Sequence, residues 1–352
     1  MTSTCKKSIF FATLITILCS TGGCSLKESV KSSSTGYWPT VEWRTTIPQA
    51  QNMDSTQLEK MDDDLSNIDY QIRSVIIIRN GYIVFEKYYR GDKNTSQPIF
   101  SVTKSIVSAL FGIALDKGYI ENIDQKIVNY FSEYTEEIAD ARFNEISIRH
   151  LLTMSAGFDH GLGRPNNGIK ECFGYPITTS PGSEARYNPC ATHLLSGIIS
   201  KSTKMSAQEF GHKELFEPLG IEKPTWSSGS EGYTMGGSGL YMTSRDMAKI
   251  GHLYLHDGVW DGNQIISANW VNESTQKQSM IKLGTFELSY GYQWWVSSPK
   301  GYALFTAAGI GGQYIYVFPD LDIVAVVTSN SMSFPIKHQG VVSSYCIAAV
   351  IK

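Results

Sequence analysis

A serine three residues ahead of a lysine, Ser101-Val102-Thr103-Lys104, opens an apolar run from Ser105 to Leu115. The preceding Gln97-Pro98-Ile99-Phe100 reads as extended, so the serine stands at the mouth of a buried helix. Residues three apart share a helix face. A lysine held there, partly desolvated, loses its proton near neutral pH and can take one from the serine. That is nucleophilic chemistry without a catalytic histidine. The same spacing recurs at Ser3, Ser274, Ser279 and Ser297. Ser3 lies in a targeting segment, and Ser274 and Ser279 lie in a polar stretch expected to be exposed. Ser297 leads into the turn Ser298-Pro299-Lys300-Gly301. Only Ser101 precedes a helix apolar enough to be buried. The competing reading of Ser101 is a helix N-cap. The two readings are compatible, because a helix start also favours developing negative charge.

The elements that must position this pair are legible on both sides of it. Ser55 to Ile68 reads as an amphipathic helix, with Leu58, Met61, Leu65 and Ile68 at helical spacing. Ser74 to Ile78 and Tyr82 to Tyr89 read as strands joined by Asn80-Gly81, a strong hairpin signal. The middle reads as helical over Ile148 to Met154, Ala191 to Ser200, Ser206 to Phe216 and Ser244 to Leu255. Strands return at Tyr302 to Ala307, Gln313 to Phe318 and Ile323 to Thr328, and Val341 to Ile351 reads as a closing helix. Strands at both ends and helices between them imply an antiparallel sheet built from both chain ends, with a mostly helical insert. The expected site is the cleft between sheet and insert.

The first residues do not belong to that fold. Lys6 and Lys7, then the apolar Ile9 to Leu18, then small residues, form a secretory signal too short to span a bilayer comfortably. Thr21-Gly22-Gly23-Cys24-Ser25 resembles a bacterial lipoprotein cleavage site, which would leave Cys24 as a lipidated N-terminus; ordinary cleavage nearby is the alternative. The expected organisation is a signal over 1–24, a tether over 25–50, and one domain over 51–352. Within that domain the sheet comes from about 70–100 and 285–352, and the helical region spans about 101–284. The net charge of -3 gives no basic footprint for nucleic acid. Cys172, Cys190 and Cys346 remain in the mature chain, and pairing of Cys172 with Cys190 is left open. No Cys-x-x-Cys spacing suggests zinc, and no cofactor is implied.

Several ordered segments together resemble the serine β-lactamase-related hydrolases of class C type. That group includes D-alanyl-D-alanine carboxypeptidases, esterases and nylon-oligomer (aminohexanoate-oligomer) hydrolases. The segments are Phe100 to Ser105, Ile146 to Gly157, Pro181 to Asn188, Leu194 to Ile199, Pro218 to Ile221, Gly236 to Asp246 and Gly309 to Gln313. The resemblance implies an α+β, β-lactamase/transpeptidase-like fold. It implies Ser101 as the acylated nucleophile and Lys104 with Tyr187 as its proton-transfer pair. A lysine ammonium beside the phenol is expected to lower its pKa, and which of the two is the base stays open. It also implies an oxyanion hole from the backbone N–H of Ser101 and Ile310. Asn188, Gly309 and Gly311 would line the substrate site.

Two departures from the family pattern carry information. Asn188 directly follows Tyr187, where the family usually has Tyr-x-Asn, and this spacing is similar to the nylon-oligomer hydrolase branch. The third motif, Lys-Thr-Gly or His-x-Gly in many relatives, is here Ala307-Ala308-Gly309. The missing cation argues against an efficient β-lactamase, while an oxyanion hole survives because it needs N–H groups and not side chains. His150 and His160 are candidate bases, with His150 expected to be structural. Glu171, Tyr175, Trp294 and Trp295 are candidate cleft residues. The expected function is hydrolysis of a small ester, amide or peptide substrate, with membrane attachment through the lipid if Cys24 is modified. The alternatives are a penicillin-binding D,D-carboxypeptidase or weak β-lactamase, and a non-catalytic envelope-binding lipoprotein.

Overall fold

The central strand β1 (Ile72–Arg79) is apolar on both sides because both sides are covered. Ile76 and Ile78 enter one core, and Val75 and Ile77 enter the other. Asn80 and Gly81, at φ 49° and 78°, turn the chain into β2 (Tyr82–Tyr88), as that dipeptide predicts. The computed structural model describes residues 37–67, 71–138, 140–159, 168–222, 224–283, 285–331 and 340–351. Ser3, Cys24, the signal, the tether up to residue 36, and His160 lie outside them.

The remaining strands follow in chain order. They are β3 (Gln97–Pro98), β4 (Thr225–Trp226), β5 (Leu240–Met242), β6 (Val259–Trp260), β7 (Asn263–Gln264), β8 (Ser279–Leu283), β9 (Phe286–Tyr290), β10 (Trp295–Ser297), β11 (Leu304–Gly309), β12 (Gln313–Phe318) and β13 (Ile323–Ser329). The α-helices are α1 (Ser55–Asn67), α2 (Thr103–Asp116), α3 (Ile148–Leu152), α4 (Ile169–Phe173), α5 (Pro189–Thr203), α6 (Ala207–Gly211), α7 (Ser244–Leu255), α8 (Ala268–Thr275) and α9 (Val341–Ala348).

Eight strands form one antiparallel sheet in the order β2-β1-β13-β12-β11-β10-β9-β8. The chain's last strand therefore lies beside its first, with Ile76 opposite Val326 and Ile77 opposite Ala325. One face packs on α2, α5 and α7, and the other on α1 and α9. Every residue from Thr103 to Ala114 is buried. A helix that is apolar all round belongs inside a molecule. A small second sheet, β3-β5-β4, sits at the mouth of α2.

The expected fold class is the observed one, an α+β arrangement with a large antiparallel sheet and a helical insert. Three details differ from expectation. Residues 37–50 do not act as tether: Trp43 is buried, and the Thr46 N–H bonds the Ile83 carbonyl, so this segment covers the outer side of β2. The sheet also reaches back to Ser279 through the β8–β9 hairpin, and Ser274, expected to be exposed, is buried on α8. Cys172 in α4 and Cys190 in the first turn of α5 are joined as a disulfide, with Cα atoms 5.7 Å apart. Among the described residues no helix is long and apolar enough to cross a membrane.

Candidate active site

Ser101 does not cap the helix that follows it. It sits in a one-turn 3-10 segment, Phe100–Val102, ahead of α2, whose own N-terminus has no side-chain cap. The turn is strained at its first residue: Phe100 has φ 48°, a region disfavoured for side chains with a Cβ. It is held there by the Ile99 N–H bonding the Leu240 carbonyl at 3.0 Å and by the pairing of β3 with β5. Freed from capping, the Ser101 hydroxyl receives a bond from Lys104 Nζ at 3.0 Å.

Lys104 is 1% exposed, and its second bond, 2.7 Å, goes to the Gly237 carbonyl. Neither acceptor carries a charge. Burial alone therefore lowers its pKa from 10.5 to about 7, and no carboxylate acts against it. The ammonium and the free amine are then nearly equal in energy at neutral pH, which suits a general base. The Gly237 carbonyl reaches the lysine because β5 is hydrogen-bonded beside β3, which brings the Gly236-Gly239 loop alongside the Ser101 turn.

Tyr187 stands just ahead of α5. Its ring centroid is 5.1 Å from Lys104 Nζ, and it stacks on Trp295 at 5.6 Å with its edge toward Tyr290. Burial pushes its phenol up to about 12, while a hydrogen bond with Ser101 acts weakly the other way. This reverses the expected lowering. Desolvation of the phenol outweighs its hydrogen bond with Ser101, and no charge effect of Lys104 opposes it. Tyr187 thus holds its proton at neutral pH, while Lys104 does so only in part.

The third side of the site is the end of β11. A side chain on Gly309 would lie 2.5 Å from the Ile99 carbonyl oxygen and 3.2 Å from the Ser101 nitrogen, so only glycine lets this strand approach Ser101 so closely. Gly311, at φ 83°, turns the backbone directly after Ile310. The backbone nitrogen of Ser101 thus lies beside Gly309, the residue directly before Ile310.

The chain is similar to known proteins over most of its length. The model of the family described as Beta-lactamase matches residues 59–339. The chain belongs to the Beta-lactamase family. Members of that family are serine hydrolases. A 6-aminohexanoate-dimer hydrolase from Paenarthrobacter ureafaciens is 23% identical over 287 residues, covering 72% of this chain and 71% of the relative. A Bacillus anthracis structure provisionally assigned the same activity superposes with a TM-score of 0.72 at 20% identity, covering 87% and 86% of the two chains. A family VIII carboxylesterase superposes with a TM-score of 0.68 at 14% identity, covering 88% and 98%. At these identities the structural likeness speaks for the fold.

Against this Beta-lactamase-family frame the other expected residues divide. Asn188 is not available to substrate. It is buried, its Oδ1 accepts from the Cys190 N–H at 2.7 Å as the N-cap of α5, and its Nδ2 donates to the Asp159 carbonyl at 2.6 Å. Standing one place earlier than the family pattern, it falls on the helix cap. His150 is structural, in a capping box with Ser147. Trp294 and Tyr175 are core residues, Glu171 is exposed, and Trp295 stacks on Tyr187. Sequence reasoning missed Gly237 as a lysine partner and Gln293 as a buried polar hub. Gly237 lay within a recognised glycine-rich segment, but its carbonyl carries no side-chain signal.

Proposed function

We propose that this chain hydrolyses a neutral ester or amide through an acyl-enzyme on Ser101. The observation that carries the reading is the buried Lys104 amine 3.0 Å from the Ser101 hydroxyl, with no carboxylate to keep it charged. Uncharged Lys104 takes the serine proton as Oγ attacks the carbonyl carbon. The oxyanion is received by the N–H groups of Ser101 and Ile310, each worth about 10²–10³-fold in rate. As the tetrahedral species collapses, Tyr187 passes its proton to the departing alcohol or amine, and the Lys104 ammonium restores it. Water then attacks the acyl ester as Lys104 takes its proton, and the Lys104 ammonium delivers that proton to Ser101 Oγ as it leaves, which frees the hydroxyl and the amine together. No step calls on an organic cofactor.

The preference for a neutral substrate rests on Ala307 and Ala308, which stand where many relatives carry a cation. Ala307 is wholly buried. One relative is named for an amide substrate, a 6-aminohexanoate dimer, and another is named as an esterase, so both bond types belong in the test. A screen of p-nitrophenyl esters, short linear amides, D-amino-acid peptides and a chromogenic cephalosporin compares wild type with Ser101→Ala. Turnover of a neutral ester or amide by wild type alone supports the reading. Stoichiometric labelling by a fluorescent penicillin with no ester or amide turnover favours the penicillin-binding alternative. Equal fluorophosphonate labelling of wild type and Ser101→Ala removes the catalytic reading and favours the non-catalytic alternative. We further propose, from the leader and the Gly23-Cys24-Ser25 pattern, that the enzyme works outside the cytoplasm on a lipid anchor. Palmitate incorporation that is lost in Cys24→Ala tests this.

A further inference from the structure

We infer that Gln293 is a positioning residue for the proton relay. It ties the helix of Lys104, the helix that follows Tyr187 and the aromatic wall behind Tyr187 to one buried point. The inference rests on the Ser101–Lys104–Tyr187 reading above. Gln293 is 2% exposed, yet every polar atom of its side chain has a partner. Its Nε2 donates to the carbonyls of Leu151 and Leu152 at 3.1 and 2.9 Å, at the end of α3. Its Oε1 accepts from Thr192 Oγ1 at 2.7 Å, on α5. Its own carbonyl accepts from Ser105 Oγ at 2.7 Å, on α2 and next in sequence to Lys104.

The backbone reinforces the assignment. Gln293 has φ 66°, a left-handed conformation that a residue with a Cβ adopts rarely. Strain of this kind persists where the surroundings over-determine it and is concentrated near functional sites. Here it aims the chain so that Trp294 enters the core and Trp295, two residues on, lies flat against Tyr187. A buried polar network is specific when every member is satisfied, and a partial one is the first place a structure loosens. Loosening this one would let α2 and α5 part and admit water to Lys104. The amine would then move back toward its ordinary basicity while the residues that touch substrate stay unchanged.

The test compares wild type, Gln293→Met and Thr192→Val on p-nitrophenyl butyrate across pH 5–9, with thermal melts alongside. The rate of fluorophosphonate labelling of Ser101 is measured in parallel, so that a poor choice of ester is told apart from a failed relay. For Gln293→Met the expected result is a fall in kcat of about tenfold or more with KM changed less than about twofold. Its acid-side midpoint should rise by about half a pH unit or more. Thr192→Val, which removes one bond, should move the same quantities in the same direction by less. A folded variant that only melts earlier, with kcat, labelling rate and midpoint as in wild type, overturns the inference. Should Gln293→Met fail to fold, Thr192→Val decides by the same criteria. A wild-type chain whose Ser101 does not label overturns the catalytic reading, and this inference falls with it.

Discussion

Lys104 and Lys249 are both buried, at 1% and 5% exposure, and the protein surrounds them differently. Lys249 Nζ bonds the carbonyls of Thr40 and Gly220 at 3.0 and 2.8 Å, with Asp246 4.0 Å away. Burial lowers its pKa, but Asp246, Glu222 and Glu42 all pull it back up. Lys104 has one carbonyl, one hydroxyl and no opposing carboxylate. Burial alone therefore does not make a base. Burial without a counter-charge does, and the difference separates a lysine that straps the N-terminal segment to α7 from one that can accept a proton.

The sharpest way to break this comparison is to remove each amine while keeping its bulk. Lys104→Met should lower kcat/KM by about 10³-fold, within the range for losing a general base, and yet leave a better-folded protein. The sign follows from the lowered pKa. Below about 7 the folded chain must bury a charged lysine, and this cost fades as pH rises from about 7 toward 10.5, where the unfolded chain also loses the proton. The gain in melting temperature should therefore be larger at pH 6 than at pH 9. A melting temperature that falls equally at both values would contradict it.

Tyr187→Phe comes next in size. It should reduce kcat by about 10²-fold while leaving the acid-side midpoint near 7, because the group that titrates there is the lysine. A midpoint displaced by more than a unit would make the tyrosine the base. Lys249→Met should do the reverse of Lys104→Met. Catalysis should stay within about threefold, and stability should fall by about 2 kcal/mol, since two buried carbonyls and Asp246 lose a partner. Asp246→Asn is the mildest change, costing about 1 kcal/mol. It should lower the basicity of Lys249 further, so that stability rises more steeply with pH above neutrality, as a urea titration at several pH values would read.

How much of this was legible before the fold depended on how local the signal was. Ser101 and Lys104 were found because their contact is one helical turn long, and the β1–β2 hairpin because Asn80-Gly81 announces it. The β8–β9 hairpin escaped because it lies at the sheet's outer edge, where Lys282, Phe286, Glu287 and Leu288 are exposed and the apolar alternation is faint. Gly237 and Gln293 escaped for another reason. Their partners Lys104 and Ser105 lie 133 and 188 residues away, and such pairings are fixed by topology. The direction of the Tyr187 shift was misread because the lysine beside it was taken as a standing cation. Only the packing shows how dry that lysine is.

The most direct measurement of the central claim is the pH dependence of fluorophosphonate labelling at Ser101, followed by mass spectrometry of the modified peptide between pH 5 and 9. The account predicts a labelling rate that rises with pH through a single midpoint near 7 and then levels, and that loses this midpoint in Lys104→Met. A rate that is flat across the range, or a label found on any other residue, would contradict it.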